Sequence, residues 1–226
     1  MCGRFTLKAK PKEVQDALGL PFEPDFTPRY NIAPSQTVLA IRANIDGKPE
    51  VALLRWGLVP SWADDLSIAH RMINARSETV QEKPSFRSAF KKRRCLIVAD
   101  GFYEWQKLDA KKKQPYWIHR PDEKPFAFAG LWERRERPGE EPLETCTILT
   151  TSANETLRPI HERMPVIFAK EQTSAWLADP GPDKLVAMLK PCSDKFLTTT
   201  AVSDRVNSPR NDVPACIEPA LGGSLF

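Results

Sequence analysis

The sequence predicts an α+β fold: a single domain of curved, mainly antiparallel β-sheets forming a barrel-like core, with short flanking helices. Three observations lead there. Short apolar or alternating runs recur along the whole chain, separated by turn residues such as Asp46-Gly47 and Asp109-Ala110, the pattern of hairpin-linked strands. Helical periodicity is confined to a few brief stretches. Neither G-x-G-x-x-G nor G-x-x-x-x-G-K-[ST] occurs, and nothing repeats at a fixed period, so a nucleotide-binding α/β fold and a solenoid have no support. The 226 residues suffice for one sizeable core. No linker divides residues 1–226, so one domain is expected, with a Pro/Gly-rich tail at 208–226.

Taken in order, residues 11–20 read as a short amphipathic helix. Val14, Ala17, Leu18 and Leu20 share one side, and Gly19 stops it. Residues 21–34 hold four prolines and read as an irregular loop carrying Arg29-Tyr30-Asn31, because proline withholds a backbone donor. Strands at 38–42 and 51–59 flank the Asp46-Gly47 turn. Residues 60–71 form a loop with Trp62 and His70. Residues 72–78 lead towards a short helix, and 85–91 read as helical with Phe86 and Phe90 at i,i+4. Further strands are expected at 95–99, 101–106, 116–120, 126–132, 146–151, 164–168 and 196–202. Residues 133–144 are a charged hairpin loop. Residues 154–160 form a helical turn capped by Ser152 or Asn154, and helices follow at 171–178 and 182–189.

Composition sets the outer limits. Hydrophobic residues make up 41% and charged residues 27%, as in ordinary globular proteins. There is no apolar run of about 18 residues and no signal-peptide pattern at the start. No membrane contact is expected, and the chain is placed in the cytoplasm or nucleoid, or in the nucleus of a eukaryote. The five cysteines are odd in number, widely spaced and free of C-x-x-C pairs, so neither a metal site nor a disulfide framework is signalled. No cofactor is expected. The formal net charge is +4, a weak pointer to an anionic partner. Lys83, Arg87, Lys91, Lys92, Arg93 and Arg94 form a cationic segment with no acid inside it. Lys111-Lys112-Lys113 reads as a solvated hairpin tip.

Several residues can carry chemistry. If Met1 is removed, Cys2 bears an α-amine of ordinary pKa ~7.7–8.0 and a thiol near ~8.5, both partly nucleophilic at neutral pH. That pair can condense with an aldehyde to a Schiff base and close to a five-membered thiazolidine. The competing reading is a small buried residue at a tied-down terminus. Glu104 lies between Tyr103 and Trp105; burial there would raise its pKa and make it a general acid/base, whereas on a solvent face it would simply pair with a lysine. His161 is pinned between Pro159 and Pro165, which suits a positioned catalytic group or a structural histidine. Asn74 can donate to an oxyanion and Arg76 can grip a phosphate, or the two are a turn Asn and a surface Arg. Most of the tryptophans must be core, leaving one or two to stack on unpaired bases.

Together the motifs Met1-Cys2-Gly3-Arg4-Phe5, Arg29-Tyr30-Asn31-Ile32-Ala33-Pro34, Trp56-Gly57-Leu58, Ile73-Asn74-Ala75-Arg76-Ser77-Glu78-Thr79, Ala99-Asp100-Gly101-Phe102-Tyr103-Glu104-Trp105 and Ile160-His161-Glu162-Arg163-Met164-Pro165 resemble the SOS-response-associated peptidase (SRAP) family of abasic-site processing proteins. The match runs in order from residue 1 to about 205. The resemblance implies removal of Met1 by Cys2 itself. It implies a stable thiazolidine crosslink between mature Cys2 and the open aldehyde of an abasic site in single-stranded DNA, with forks and overhangs included. Asn74, Glu104 and His161 would surround Cys2. Gly3, Arg4, Arg76 and Thr150 would contact DNA, with the Trp56 and Trp105 motifs lining the site. A monomer without metal is expected. Two alternatives stay open. An N-terminal-nucleophile amidohydrolase of the glutamine amidotransferase kind also begins Met-Cys-Gly, although Arg4-Phe5 does not suit it. A non-covalent reader of single-stranded or modified DNA would leave Cys2 incidental.

Overall fold

The computed structural model describes residues 2–178 and 180–220. Among the described residues, thirteen strands form two sheets. The larger one closes on itself. Its members are β3 (Thr37–Ala43), β4 (Pro49–Trp56), β6 (Arg94–Ala99), β9 (Phe126–Arg135) and β10 (Leu143–Ser152). The pairings β4–β3, β3–β6, β6–β9 and β9–β10 are antiparallel, and a parallel β10–β4 contact completes the ring. Closure removes the exposed edges that an open sheet presents. Every residue of β6 is buried, because one face lines the barrel and the other is covered by α3 (Lys170–Leu177) and by the second sheet. Three short strands extend β10 and β9: β5 (Asn74–Arg76), β11 (Arg163–Pro165) and β12 (Ile167–Phe168).

The second sheet has the order β13-β8-β7-β1-β2, from β1 (Phe5–Leu7), β2 (Arg29–Ile32), β7 (Gly101–Lys107), β8 (Lys113–His119) and β13 (Thr198–Ala201). It docks on the barrel through aromatic edges. The Phe5 ring lies 5.2 Å from Trp56 and 5.7 Å from Phe128, and Phe102 lies 5.9 Å from Phe128; such edge-to-face pairs add to the burial of the rings themselves. Its opposite face carries a smaller cluster of Tyr103, Trp117, Val202, Val206 and Cys216. Side chains alternate along a strand, so Phe102 faces the barrel while Tyr103 and Trp105 face this smaller cluster.

The helices follow the expected signals. Helix α1 (Pro11–Leu18) starts on proline and ends at Gly19, whose φ of 67° is the left-handed cap. Helix α2 (Arg87–Lys92) buries Ala89 and Phe90, and α4 (Pro182–Ala187) again begins on proline.

Four expectations change. Residues 29–32 are a strand, not loop: they pair with β1, and Asp212 accepts from the Tyr30 and Asn31 amides at 2.6 and 2.9 Å. Residues 74–76 form a strand rather than leading directly towards a helix. The 133–144 loop is shorter than expected, since β9 runs to Arg135 and β10 starts at Leu143, leaving 136–142 between them. The cationic 83–94 segment is partly structural. Arg94 is buried and donates to the carbonyls of Phe90, Lys91, Trp176 and Ala178, and Arg93 pairs with Glu133 from β9 at 2.7 Å.

The tail from Ser208 folds back as far as it is described, with a bridge between Val202 and Pro219; residues 221–226 of that tail lie outside the described residues. Among the described residues no helix is long and apolar enough to cross a membrane, and no group of His, Cys, Asp or Glu could hold a metal.

Candidate active site around Cys2

The Tyr103 amide donates to the Arg4 carbonyl at 2.9 Å. Pairing between the N-terminal segment and β7 therefore continues past Phe5 and brings Cys2 alongside Glu104. Cys2 is fully buried. Burial pushes its thiol above the ordinary range, and the neighbouring Glu104 carboxylate pushes it the same way. The thiol holds its proton at neutral pH and needs a base to become a nucleophile. Glu104 is only 3% exposed, and desolvation pushes its carboxyl up to about 7. Both of its protonation states are then populated near neutrality, the condition for general acid/base work.

Asn74 reaches Cys2 from the other sheet. Strand β5 runs parallel to β10, with Asn74 opposite Ile148 and Arg76 opposite Thr150. The Asn74 Nδ2 donates to the Cys2 carbonyl at 2.7 Å, and Oδ1 of the same amide is buried without a hydrogen-bond partner among the described residues. Alternation along β5 puts Arg76 on the same side as Asn74 while Ala75 enters the core. Arg76 is exposed.

His161 sits on a loop fixed at both ends. The Asn154 Oδ1 caps the turn by accepting from the Leu157 amide, and Gln106 of β7 donates to the Pro159 carbonyl at 3.1 Å. Gln106 lies two residues beyond Glu104, so this loop is tied to the face of β7 that carries Glu104. The Nδ1 of His161 accepts from the Arg163 amide at 3.0 Å. That bond leaves the proton of the neutral ring on Nε2. Desolvation lowers the His161 pKa, so the ring is neutral at pH 7 and offers Nε2–H as a donor.

Other expected site residues have structural duties here. Trp56 is 1% exposed and donates Nε1–H to the Ile73 carbonyl at 2.8 Å. Its ring has no face free for a base; it fixes the residue before Asn74. Thr150 is also buried, with Oγ1 3.4 Å from the Ala75 carbonyl. Arg4 is half-buried: Nη1 donates to Asn31 Oδ1 and to the Val206 carbonyl, each at 2.9 Å, and its guanidinium carbon lies 6.0 Å from the Trp105 ring centre. Trp105 donates Nε1–H to Asn207 at 2.7 Å. Gly3 is partly exposed between Cys2 and Arg4.

A family model described as "SOS response associated peptidase (SRAP)" matches residues 1–209. The chain belongs to this family. Among its relatives, the abasic site processing protein YoqW of Bacillus subtilis (strain 168) is 45% identical over 224 residues, covering 96% of this chain and 99% of that one. The abasic site processing protein HMCES of Mus musculus is 33% identical over 272 residues, with 97% and 76% covered. A solved structure of a Bacteroides thetaiotaomicron protein superposes with a TM-score of 0.85 at 26% identity, covering 97% of this chain and all of that one.

Several contributors were not singled out from the sequence. Asn31 donates to the carbonyls of Val206, Ser208 and Asn211, and Asp212 receives Arg29 at 2.7 Å, so residues 204–212 strap Arg4 and Trp105 in place. Arg163 joins Glu78 to the Thr150 carbonyl and steadies the His161 loop. Trp62, on the loop before β5, is 57% exposed. Asn31, Glu78 and Arg163 lie inside the motifs quoted above, but their partners lie far along the chain.

Proposed function

We propose that this protein senses and shields abasic sites in single-stranded DNA, including those at forks and overhangs. After Met1 is removed, Cys2 forms a covalent thiazolidine with the open-chain aldehyde. The observation that carries this reading is the buried pairing of Cys2 with a Glu104 carboxyl of pKa about 7, while Asn74 grips the Cys2 carbonyl. Membership of a family whose relatives are named abasic site processing proteins supports it.

Removal of Met1 begins with the Cys2 thiol. Glu104 takes its proton, the sulfur attacks the Met1 carbonyl carbon, and the scissile C–N bond breaks as the proton returns to the nitrogen. Water then hydrolyses the thioester, releasing methionine and freeing the thiol. Asn74 holds Cys2 in register throughout.

Crosslinking uses the same groups. The neutral α-amine adds to the aldehyde carbon, and the buried Asn74 Oδ1 is an acceptor for an N–H of that amine. Glu104 protonates the departing hydroxyl, so water leaves and a Schiff base forms. The thiol then adds to the imine carbon and its proton passes to nitrogen, closing the ring. His161 donates Nε2–H to a sugar oxygen, favouring the open-chain form. Ring closure removes the imine that β-elimination needs, so the strand stays intact. Arg4, Arg76, Gly3 and Thr150 flank the bound strand, with the Trp105 and exposed Trp62 rings beside it and Trp56 holding the floor. The protein acts as a monomer, in the cytoplasm and nucleoid or in a nucleus.

The test is a denaturing gel and an intact mass after incubation with an abasic oligonucleotide. A shifted species heavier by the oligonucleotide minus one water, absent with Cys2→Ala, is expected. An unshifted band, or equal crosslinking by Cys2→Ala, overturns the reading.

A further inference from the structure

A broad cavity lies away from Cys2, on the face of β7 opposite Glu104. Its volume is about 970 Å³. One wall is the β7–β8 hairpin, contributing Trp105, Lys111, Lys112 and Lys113; the other is the returning C-terminal segment, with Arg205 and Asn207.

Two features set this groove apart from an ordinary solvated loop. The first is charge. Four cations line it against two carboxylates, Asp204 and Glu218, and among the described residues none of the four cations takes part in an ion pair. The hairpin is nevertheless ordered at its tip, because Asp109 Oδ1 accepts from the Lys111 and Lys112 amides at 2.8 Å each. Its lysine side chains are exposed on a fixed turn. The second is continuity. Trp105 lines the groove, is steered by Asn207, and lies beneath the Arg4 guanidinium. The groove therefore begins at Trp105, next in sequence to Glu104 and beneath Arg4, and runs from there along a cationic wall.

We propose that this groove is a second DNA subsite, which holds the single strand on one side of the lesion through its phosphates, with Trp105 as a stacking platform at the inner end. Such a combination of basic groove and aromatic platform binds single strands without reading sequence. The subsite rests on the proposed action on abasic DNA, and it explains what the Lys111-Lys112-Lys113 run is for. Its contribution grows with the length of strand on one side of the lesion only.

The experiment uses the full chain carrying Cys2→Ala, so that only reversible binding is read, and a stable abasic analogue in fluorescent oligonucleotides. One oligonucleotide ends close to the lesion on both sides; two others extend by several nucleotides on one side or the other. Extension on one side is expected to tighten binding. Lys111→Ala, Lys112→Ala and Lys113→Ala combined should cancel that gain, at least about tenfold at low salt, and should reduce the slope of log K against log salt by about 2, at ~0.7 per phosphate contact. The same three substitutions should leave binding of the short oligonucleotide unchanged. Lys83→Ala, Lys91→Ala and Lys92→Ala, combined in a separate protein, should affect no arm. Equal affinity and slope for the parent and the 111–113 variant on every oligonucleotide would overturn the proposal. Crosslinking of a short abasic oligonucleotide by the protein with Cys2 intact is the separate control. If it fails while the lysine effect on a long undamaged strand remains, the Cys2 reading falls and the groove stands.

Discussion

Glu104→Gln separates the chemical role of the carboxyl from its structural one, because the two respond to pH in opposite senses. Burial raises the folded-state pKa from an ordinary 4.5 to about 7. A folded-state pKa above the unfolded value means that the folded protein holds the proton more tightly. The corresponding stability is fully present below about pH 4.5 and is lost as pH rises through about 7. The shift of roughly 2.5 units is worth on the order of 3 kcal/mol at 1.36 kcal/mol per unit. Glutamine keeps the shape and cannot ionise, so it escapes that loss. Denaturant titrations of both proteins at pH 5 and pH 8 should therefore show the variant gaining about 2.5 kcal/mol relative to the parent between the two conditions. Crosslinking should move the other way: loss of a positioned acid/base slows it by about 10²–10⁴, and the inflection near pH 7 in the parent's rate should vanish. A stability difference that does not change with pH would show that Glu104 is not held in a desolvated site. Unfolding of the variant at pH 5 as well as pH 8 would show a purely structural carboxyl.

Three further outcomes follow from the same geometry. A Cβ added at Gly101 would lie 2.1 Å from the Trp117 Nε1 and 2.9 Å from the Thr6 Oγ1, so Gly101→Ala should lower stability by about 1–3 kcal/mol through overpacking, read as a fall in the denaturant midpoint. Asp212→Ala removes the acceptor for Tyr30 and Asn31 amides and for Arg29; it should cost about 3 kcal/mol, and proteolysis within 204–212 should quicken. Asn74→Ala deletes the donor to the Cys2 carbonyl; Met1 retention, measured by intact mass, should rise while the fold, read by circular dichroism, is kept.

The strands and their order of appearance were readable because alternation and turn residues are local signals. Gly19 announced the end of α1, and Asp46-Gly47 announced a hairpin whose ladder runs from Thr37–Arg55 to Ala43–Pro49. What could not be read depended on distant partners. Strand β2 looks like a proline-rich loop until Asp212, some 180 residues on, supplies its acceptors. The 83–94 segment looks uncompensated because the acid that meets Arg93 comes from β9. The site divides in the same way. Cys2, Asn74 and Glu104 stand out as reactive types in apolar company, and the fold brings them together. Sequence could not say which tryptophan faces solvent: Trp56 and Trp62 are six residues apart, yet one ends a barrel strand and the other lies on a loop.

The decisive element is β7, because consecutive residues on it serve opposite requirements. Acid/base chemistry needs a dry carboxyl, and a DNA strand needs a wet, cationic surface. Period-two alternation supplies both at once: Glu104 turns towards Cys2 with its pKa raised by burial, and Trp105 turns towards Arg4 and the basic groove. The proposed reaction with an aldehyde requires this buried face to open, since Cys2 has no exposed surface. The His161 loop is tied to β7 by the Gln106 bond to the Pro159 carbonyl and to β10 by the Arg163 bond to the Thr150 carbonyl. The strap on the other face is fastened by Asn31 and Asp212 through many bonds, which keeps Arg4 and Trp105 fixed beside the groove.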